Sequence, residues 1–197
     1  MIKKHYSITL FLSVLFLLLS CKKNDSEDLL TQEEYYFWAD KKKVQLSIVE
    51  NEFVAIITDN QLNEMKKILK ENNISIENLK QENHYLLQSP NTKISQSLYD
   101  GVGKFSTLNL SPVFHVNNER MIPVSQILVQ AESNMQLEVI IKKIDSEITS
   151  YEKNKYNGAT INVKHINKVC SLANKIYETE LVDYSMPNFI VRIVQND

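Results

Sequence analysis

Side chains that could bind a metal or transfer protons are scattered along this chain. His84, His115 and His165 fall in strand-like segments, too far apart in sequence to form a metal-binding signature. Acidic residues that lie close together, such as Asp145 and Glu147, are expected on solvated surfaces and offer no matched general acid and base. The residue types alone therefore predict no metal site, no cofactor and no catalytic residue.

Glycine content and net charge exclude two further classes of site. The chain has 197 residues but only three glycines, Gly101, Gly103 and Gly158, so it has no glycine-rich motif of the kind that cradles phosphate groups. Its net charge of −2 supplies no basic excess, and no nucleic-acid partner is expected. With 43% hydrophobic and 23% charged residues, the composition is that of an ordinary globular protein.

The residue with the clearest chemical signature is Cys21. Lys3 and Lys4 precede an apolar run at residues 8–19, which is short for a membrane span and typical of a secretory signal peptide at 1–20. The run ends in Leu-Leu-Ser-Cys, the pattern of a bacterial lipobox, so we expect cleavage before Cys21 and lipidation of its sulfur. The alternative is an ordinary signal peptide with a chance cysteine, which the polar segment directly after Cys21 disfavours.

The expected lipid anchor at Cys21 places the protein in the cell envelope. Lys22 follows the cysteine, and by resemblance to other bacterial lipoproteins this favours the outer membrane; the periplasmic and the outer face stay open. A polar tether is expected over residues 21–33. Cys170 then has no partner for an intramolecular disulfide, and because it lies on the apolar face of an expected helix, we expect a buried structural thiol.

The rest of the chain shows one pattern twice. Tyr99 and Tyr177 are 78 residues apart, and a Pro-x-Phe triplet occurs at 112–114 and again 75 residues later at 187–189. Each copy is interpreted as β-α-β-β-α-β, the ferredoxin-like motif. The predicted fold class is therefore α+β, with two tandem ferredoxin-like modules that have antiparallel sheets and helices on one face.

Periodicity places the elements of both modules. The expected strands are 35–38 with 43–49 around a turn at 39–42, then 53–58, 84–88, 105–116, 127–131, 150–156 with 159–165 around Asn157-Gly158, and 181–194. The expected helices are 60–72, a short segment carrying Ile94 and Leu98, 135–148 and 166–179. The first module is assigned to 34–116 and the second to 117–197, with a linker near 117–120 that permits a rigid or a mobile arrangement.

Residues 171–189, SLANKIYETELVDYSMPNF, closely resemble the end of the N-terminal prodomain of subtilisin-like serine peptidases, most of all the fervidolysin-type prodomains of Bacteroidetes. Those prodomains commonly carry a stretch like LAN-x-LYETGLVEYAEPNF, in which a helix leads into the last strand. The Tyr-Tyr-Phe-Trp motif at 35–38 and Ser-Pro-Val-Phe at 111–114 also look familial, so the resemblance covers most of residues 35–189. Glu180 departs from it, because the family usually has glycine at this helix end.

The resemblance implies binding rather than catalysis. The Asp-[Ser/Thr]-Gly, His-Gly-Thr and Gly-Thr-Ser motifs of the family's catalytic triad do not occur in the sequence, so no enzyme activity is expected. In the family, the prodomain sheet packs on the peptidase, and the tail after the last strand enters the active-site cleft as an added strand. The implied partner is a subtilisin-like serine peptidase, which the chain would inhibit or help to fold. The residues implied to contact it are Tyr184, Met186, Pro187, Asn188, Phe189, Ile190, Val191 and Ile193, with residues 190–197 as the inserting tail.

Two alternatives stay open at this point. Residues 190–197 are equally well interpreted as the end of a strand that pairs with the sheet, in which case their removal lowers the melting temperature. The protein as a whole is otherwise a non-enzymatic envelope lipoprotein that binds another protein or a peptide, or the relic of a peptidase gene cut short after its prodomain.

Overall fold

A computed structural model describes residues 35–100, 103–105, 107–117 and 119–193. The predicted signal peptide, Cys21, the tether and residues 194–197 of the predicted tail lie outside them. The described chain has four α-helices and two antiparallel sheets, which confirms the predicted α+β class. None of the helices in this part of the chain has the length and apolar character needed to cross a membrane.

The elements form two similar series after an initial hairpin. The strands are β1 (Tyr36–Ala39), β2 (Lys42–Gln45), β3 (Ser47–Ile56), β4 (Ser75–Asn78), β5 (His84–Gln88), β6 (Asn109–Val116), β7 (Glu119–Ala131), β8 (Ile148–Lys153), β9 (Gly158–Val163) and β10 (Val182–Ile193). The helices are α1 (Asp59–Glu71), α2 (Thr92–Tyr99), α3 (Asn134–Ile144) and α4 (Val169–Tyr177). From β3 to β6, and again from β7 to β10, the order is strand, helix, strand, strand, helix, strand. We call these the first and the second half.

All strands except β1 and β2 join one sheet, in the order β4-β5-β3-β6-β7-β9-β8 with β10 also paired to β7. The long strand β7 pairs with β6 near its start, where Met121 lies opposite Phe114, and with β9 further on, where Ile127 lies opposite Ile161. The expectation of two sheets, one in each module, is wrong. At the expected linker, Asn117 has a φ of 53°, and β6 and β7 pair directly, with Val116 opposite Glu119.

The strand prediction differs from the structure in the first half. The expected strand 43–49 is divided at Leu46, whose side chain is fully buried and whose N–H donates to Tyr35 O at 2.8 Å. Residues before Leu46 stay in the β1–β2 hairpin, and β3 begins directly after it in the large sheet. Strand β4 is missing from the prediction because it is short and polar, with Ile76 as its single apolar residue, and it pairs only with β5.

Asparagine takes the place of glycine in the turns. Among the described residues, nine that are not glycine have positive φ, and five of these are Asn51, Asn73, Asn83, Asn117 and Asn157. Asparagine tolerates the left-handed region better than most residues with a β-carbon. In the turn of the β1–β2 hairpin, the two central residues, 40 and 41, have φ of 49° and 64°, as a type I′ turn requires. The predicted hairpin turn at 39–42 is confirmed.

Three apolar clusters hold the sheet and helices together. In the first half, Met65 and Leu69 of α1 pack with Phe53 of β3. In the second half, the largest cluster combines residues of α3, α4 and β1 with Ile127 of β7 and Ile161 of β9. A third cluster joins both halves, and its buried members are Val54, Leu79, Leu86, Val113, Ile122 and Ile166. Burying one such side chain contributes roughly 1.5–3 kcal/mol, so the third cluster resists separation of the halves.

Polar contacts also connect the two halves. The Asn109 side chain of β6 donates from Nδ2 to Lys164 O at 2.8 Å and accepts at Oδ1 from the N–H of Ile166 at 2.9 Å. Arg120 of β7 forms an ion pair with Glu52 of β3, and both side chains are mostly buried. These contacts belong to one compact unit that includes both halves.

Candidate functional site

Strand β10 carries the eight residues, from Tyr184 to Ile193, that the resemblance implied at a partner interface. In the part of the chain that the structure describes, β10 pairs only with β7, so its other edge is open. Tyr184, Val191 and Ile193 are 43%, 49% and 77% exposed; Met186, Asn188, Phe189 and Ile190 are partly buried, and Pro187 is buried. The predicted residues therefore lie together on one edge strand, with exposed apolar side chains near both of its ends.

The structure describes the first four residues of the predicted inserting tail, 190–193. Residues 190–193 pair with residues 119–122 of β7. Within this segment, the Arg192 guanidinium donates two hydrogen bonds to the Glu77 carboxylate of β4, at 2.8 and 3.2 Å. The same hydrogen bonds lower the pKa of Glu77 and raise the pKa of Arg192. Pairing with the sheet is thus observed for 190–193, and insertion into a peptidase stays a prediction.

The register of β10 is interrupted at Asn188. Pro187 lies opposite Ile127 and Phe189 lies opposite Pro123, so three residues of β7 face Asn188 alone. Neither Pro187 nor Pro123 can donate a ladder hydrogen bond, because proline has no backbone N–H. Asn188 instead donates from its side-chain amide to Gln126 Oε1 at 2.9 Å. Irregularities of this kind redirect the side chains that follow, and Phe189 enters an aromatic cluster.

Aromatic side chains from distant segments meet at Phe189. Its ring centroid lies 5.8 Å from that of Phe37 in β1 and 6.5 Å from that of Phe114 in β6, the latter pair being edge-to-face. The ring of Tyr35 lies 4.9 Å from Phe114. Pairs of this kind contribute about 0.5–1.5 kcal/mol each beyond the burial of their area. The cluster fixes the hairpin, β6 and β10 to one another.

The hairpin is also attached to the C-terminal end of α4. The ring of Trp38 stacks on that of Tyr177, with centroids 5.2 Å apart and an interplanar angle of 21°. Glu178 Oε1 accepts hydrogen bonds from the Tyr36 hydroxyl at 3.0 Å and the Trp38 indole at 3.3 Å, and Asn174 Nδ2 donates to Tyr36 O at 2.8 Å. Burial, followed by the hydrogen bond to Glu178, raises the pKa of Tyr36. Segments about 140 residues apart in sequence thus form one contact.

A cleft of about 380 Å³ lies between the turn of the hairpin and the start of β10. Its lining includes Trp38, Asp40, Lys41, Tyr177, Asp183, Tyr184 and Met186. Three aromatic rings and a thioether supply apolar surface, and two carboxylates and one ammonium group supply charge. We call it the aromatic cleft.

A second cleft, also of about 380 Å³, contains a serine–histidine pair that no sequence motif indicates. His84 Nε2 lies 3.1 Å from both the backbone N and the hydroxyl Oγ of Ser125, 41 residues away, and His84 Nδ1 contacts Glu82 O. Because Nε2 already accepts the Ser125 N–H, its lone pair is not free to act as a base toward the hydroxyl. Burial lowers the pKa of His84 and favours the neutral ring. We interpret the pair as a contact that fastens β5 to β7.

The cysteine of the second half is placed as the sequence predicted. Cys170 is buried in the largest apolar cluster, and burial raises the pKa of its thiol to about 12. Such a thiol is not a nucleophile at neutral pH. Across the described ranges, no three His, Cys, Asp or Glu side chains are grouped so that they can hold a metal ion.

The chain matches no protein-family model and no curated protein. An assignment of function therefore depends on the residues that carry the resemblance to subtilisin prodomains and on their geometry. Those residues lie in the hairpin, in β6, in α4 and in β10.

Proposed function

We propose that this protein is a prodomain-like lipoprotein that binds a subtilisin-like serine peptidase through β10, as an inhibitor or a folding chaperone. A diacylglyceryl group on the Cys21 sulfur holds it at the outer membrane through two acyl chains, and the polar tether spaces the folded part from the bilayer. Its two halves are tandem ferredoxin-like modules. The bound peptidase receives the end of β10 and the tail that follows.

The backbone at Glu180 is the observation that carries this proposal. The family usually has glycine at this position, and here Glu180 has a φ of 59°, in the left-handed region that favours glycine. Its N–H donates to Tyr177 O at 3.1 Å, as in a helix end closed by a left-handed residue. The chain keeps the geometry of a glycine position with a residue that does not favour it. A left-handed backbone occupied by glutamate is expected if this helix end derives from a prodomain sequence that had glycine at the same position.

The contacts among the motif residues support the proposal further. The motif at 35–38 contacts the helix end at 174–178 through the stacked rings of Trp38 and Tyr177 and the shared acceptor Glu178. It also contacts the Pro-Asn-Phe motif through Phe37 and Phe189. Residues that resemble the family in separate parts of the sequence therefore have one joint role, which is to position β10.

The strand order supports the two ferredoxin-like modules. The first half has the order β4-β5-β3-β6 and the second has β10-β7-β9-β8. In both, the first strand of the series lies between the third and the fourth, and the second strand is outermost beside the third. This is the arrangement of the split βαβ motif.

The exposed end of β10 supplies a binding surface. Val191 and Ile193 alternate with Arg192 along the strand and are 49% and 77% exposed. Apolar side chains on an open edge strand favour pairing with another chain. Main-chain hydrogen bonds to the peptidase would hold the tail, and alternate apolar side chains would fill its subsites.

Inhibition of the subtilisin-like peptidases of the source organism tests the proposal. The full-length chain, purified in detergent, is compared with a variant that ends at Ile193 and with the pair of substitutions Val191→Ser and Ile193→Ser. We expect nanomolar inhibition by the full chain, or faster refolding of the peptidase if it is a chaperone, and about tenfold or greater loss in both variants. Tyr156→Ser, on an exposed turn between β8 and β9, is the control and should change nothing. The proposal is contradicted if the full chain affects none of these peptidases, or if the two test variants act as strongly as the full chain.

A further inference from the structure

We infer that the aromatic cleft binds a basic side chain, arginine or lysine, on an extended peptide that pairs with the open edge of β10. The cleft lies at the start of β10, whereas the tail and the exposed residues Val191 and Ile193 are at its end. The inference therefore goes beyond the proposed function and does not rest on it. The cleft volume of about 380 Å³ is within the usual range of ligand pockets, roughly 300–1,000 Å³.

The apolar lining of the cleft suits the stem and the charge of a basic side chain. Tyr184 presents an exposed ring, and Trp38 and Tyr177, whose rings stack on each other, line the same cleft. Aromatic rings attract a cation within about 6 Å of the ring centroid. The Met186 thioether can pack against the methylene groups of lysine or arginine. The neighbouring hairpin surface already holds such a contact, because Lys43 Nζ lies 5.3 Å from the centroid of the Trp38 ring.

The charges of the cleft favour a cation over an anion. Asp40 and Asp183 are exposed, and neither forms an ion pair with any described residue. Lys41 also lines the cleft and offsets one of the two carboxylates. The lining therefore carries one net negative charge, which a bound arginine or lysine neutralises and an acidic side chain would double.

The open edge of β10 indicates an extended peptide rather than a free amine. Tyr184 and Met186 pair on one side with Gln130 and Leu128 of β7, and on the other side no strand of the described chain pairs with them. An added strand receives main-chain hydrogen bonds along such an edge, and every second side chain then points the same way. One basic residue of the added strand can enter the cleft while its neighbours stay outside.

The fluorescence of Trp38, the single tryptophan of the chain, reports occupancy of the cleft directly. The full-length chain in detergent is titrated with an acetylated and amidated peptide, Thr-Val-Thr-Arg-Thr-Val-Thr, and with peptides carrying citrulline or glutamate at the central position. We expect a saturable change with the arginine peptide, binding about tenfold weaker with its neutral isostere citrulline, and none with glutamate. Equal binding of the arginine and citrulline peptides, or no change at millimolar peptide, overturns the inference.

Substitutions separate the charge from the strand pairing. Asp40→Asn combined with Asp183→Asn should weaken binding of the arginine peptide about tenfold and leave binding of the citrulline peptide unchanged. Lys41→Gln should tighten binding of the arginine peptide. Asparagine suits the φ of 49° at position 40, and Tyr156→Ser serves as the unaffected control. N-methylation of alternate peptide residues should abolish binding. Unchanged binding of the N-methylated peptide, or a larger response to the neutral sugar chitotriose, overturns the inference.

Discussion

Replacing Glu180 with glycine should stabilise this protein. The Glu180 side chain is exposed, but its backbone has a φ of 59°. The left-handed conformation costs a residue with a β-carbon about 1–2 kcal/mol, and glycine loses roughly 0.5–1 kcal/mol more conformational entropy on folding. The difference between the midpoints of these two ranges predicts a gain of about 0.75 kcal/mol for Glu180→Gly. For a chain of this size the melting temperature should rise by about 1–4 °C.

Urea unfolding of the full-length chain, followed by circular dichroism, measures this gain as a higher midpoint with an unchanged slope. Glu180→Ala separates the backbone from the side chain and should leave stability nearly unchanged, because alanine keeps the β-carbon. Glu71→Gly is the matched control at the exposed end of α1, outside the left-handed region, and should lose roughly 0.5–1 kcal/mol. A loss of stability in Glu180→Gly, or an equal gain in Glu180→Ala, would show that the left-handed backbone at Glu180 is not the source of strain.

Three further outcomes are expected. Burial lowers the pKa of His84 below 6.5 in the folded protein, so the unfolded chain binds a proton at this histidine more readily. The free energy of unfolding should therefore fall as pH drops below about 6.5. A His84→Gln variant whose free energy of unfolding has the same dependence on pH contradicts this. Phe114→Ala should lower the free energy of unfolding by about 3–5 kcal/mol, because it empties a fully buried site in the aromatic cluster. A shift in the urea midpoint as small as that of a substitution at an exposed residue argues against the cluster. With Cys21 acylated, a thiol reagent should modify only Cys170, and only after unfolding; two reactive thiols in the denatured chain exclude lipidation.

The features that local patterns determine were predictable from the sequence. The helix of α3 follows from its apolar stripe, and the β1–β2 and β8–β9 hairpins follow from turn residues between strand-like segments. The buried Cys170 follows from its place on the apolar face of α4. The position of β10 at the end of the second series also follows from the repeated element order.

The features that depend on contacts between distant residues were not predictable. The contact between Ser125 and His84 joins residues 41 apart, and no sequence motif marks it. Local sequence patterns therefore do not predict the second cleft. The joining of both halves into one sheet depends on pairing across the turn at Asn117, and a polar turn looks like a linker in sequence. The aromatic cleft likewise requires the hairpin to meet β10, which the contacts of Trp38 with Tyr177 and Glu178 bring about.

Hydrogen exchange can show whether β10 is the surface that binds a subtilisin-like peptidase. The full-length chain is measured alone and with a catalytically inactive serine-to-alanine variant of the peptidase, which can accept the tail without cleaving it. We expect slower exchange across residues 182–193 and no change in β8, the edge strand that serves as the internal control. Slower exchange at β8 without any at β10, or no change with any of the peptidases, would contradict the claim.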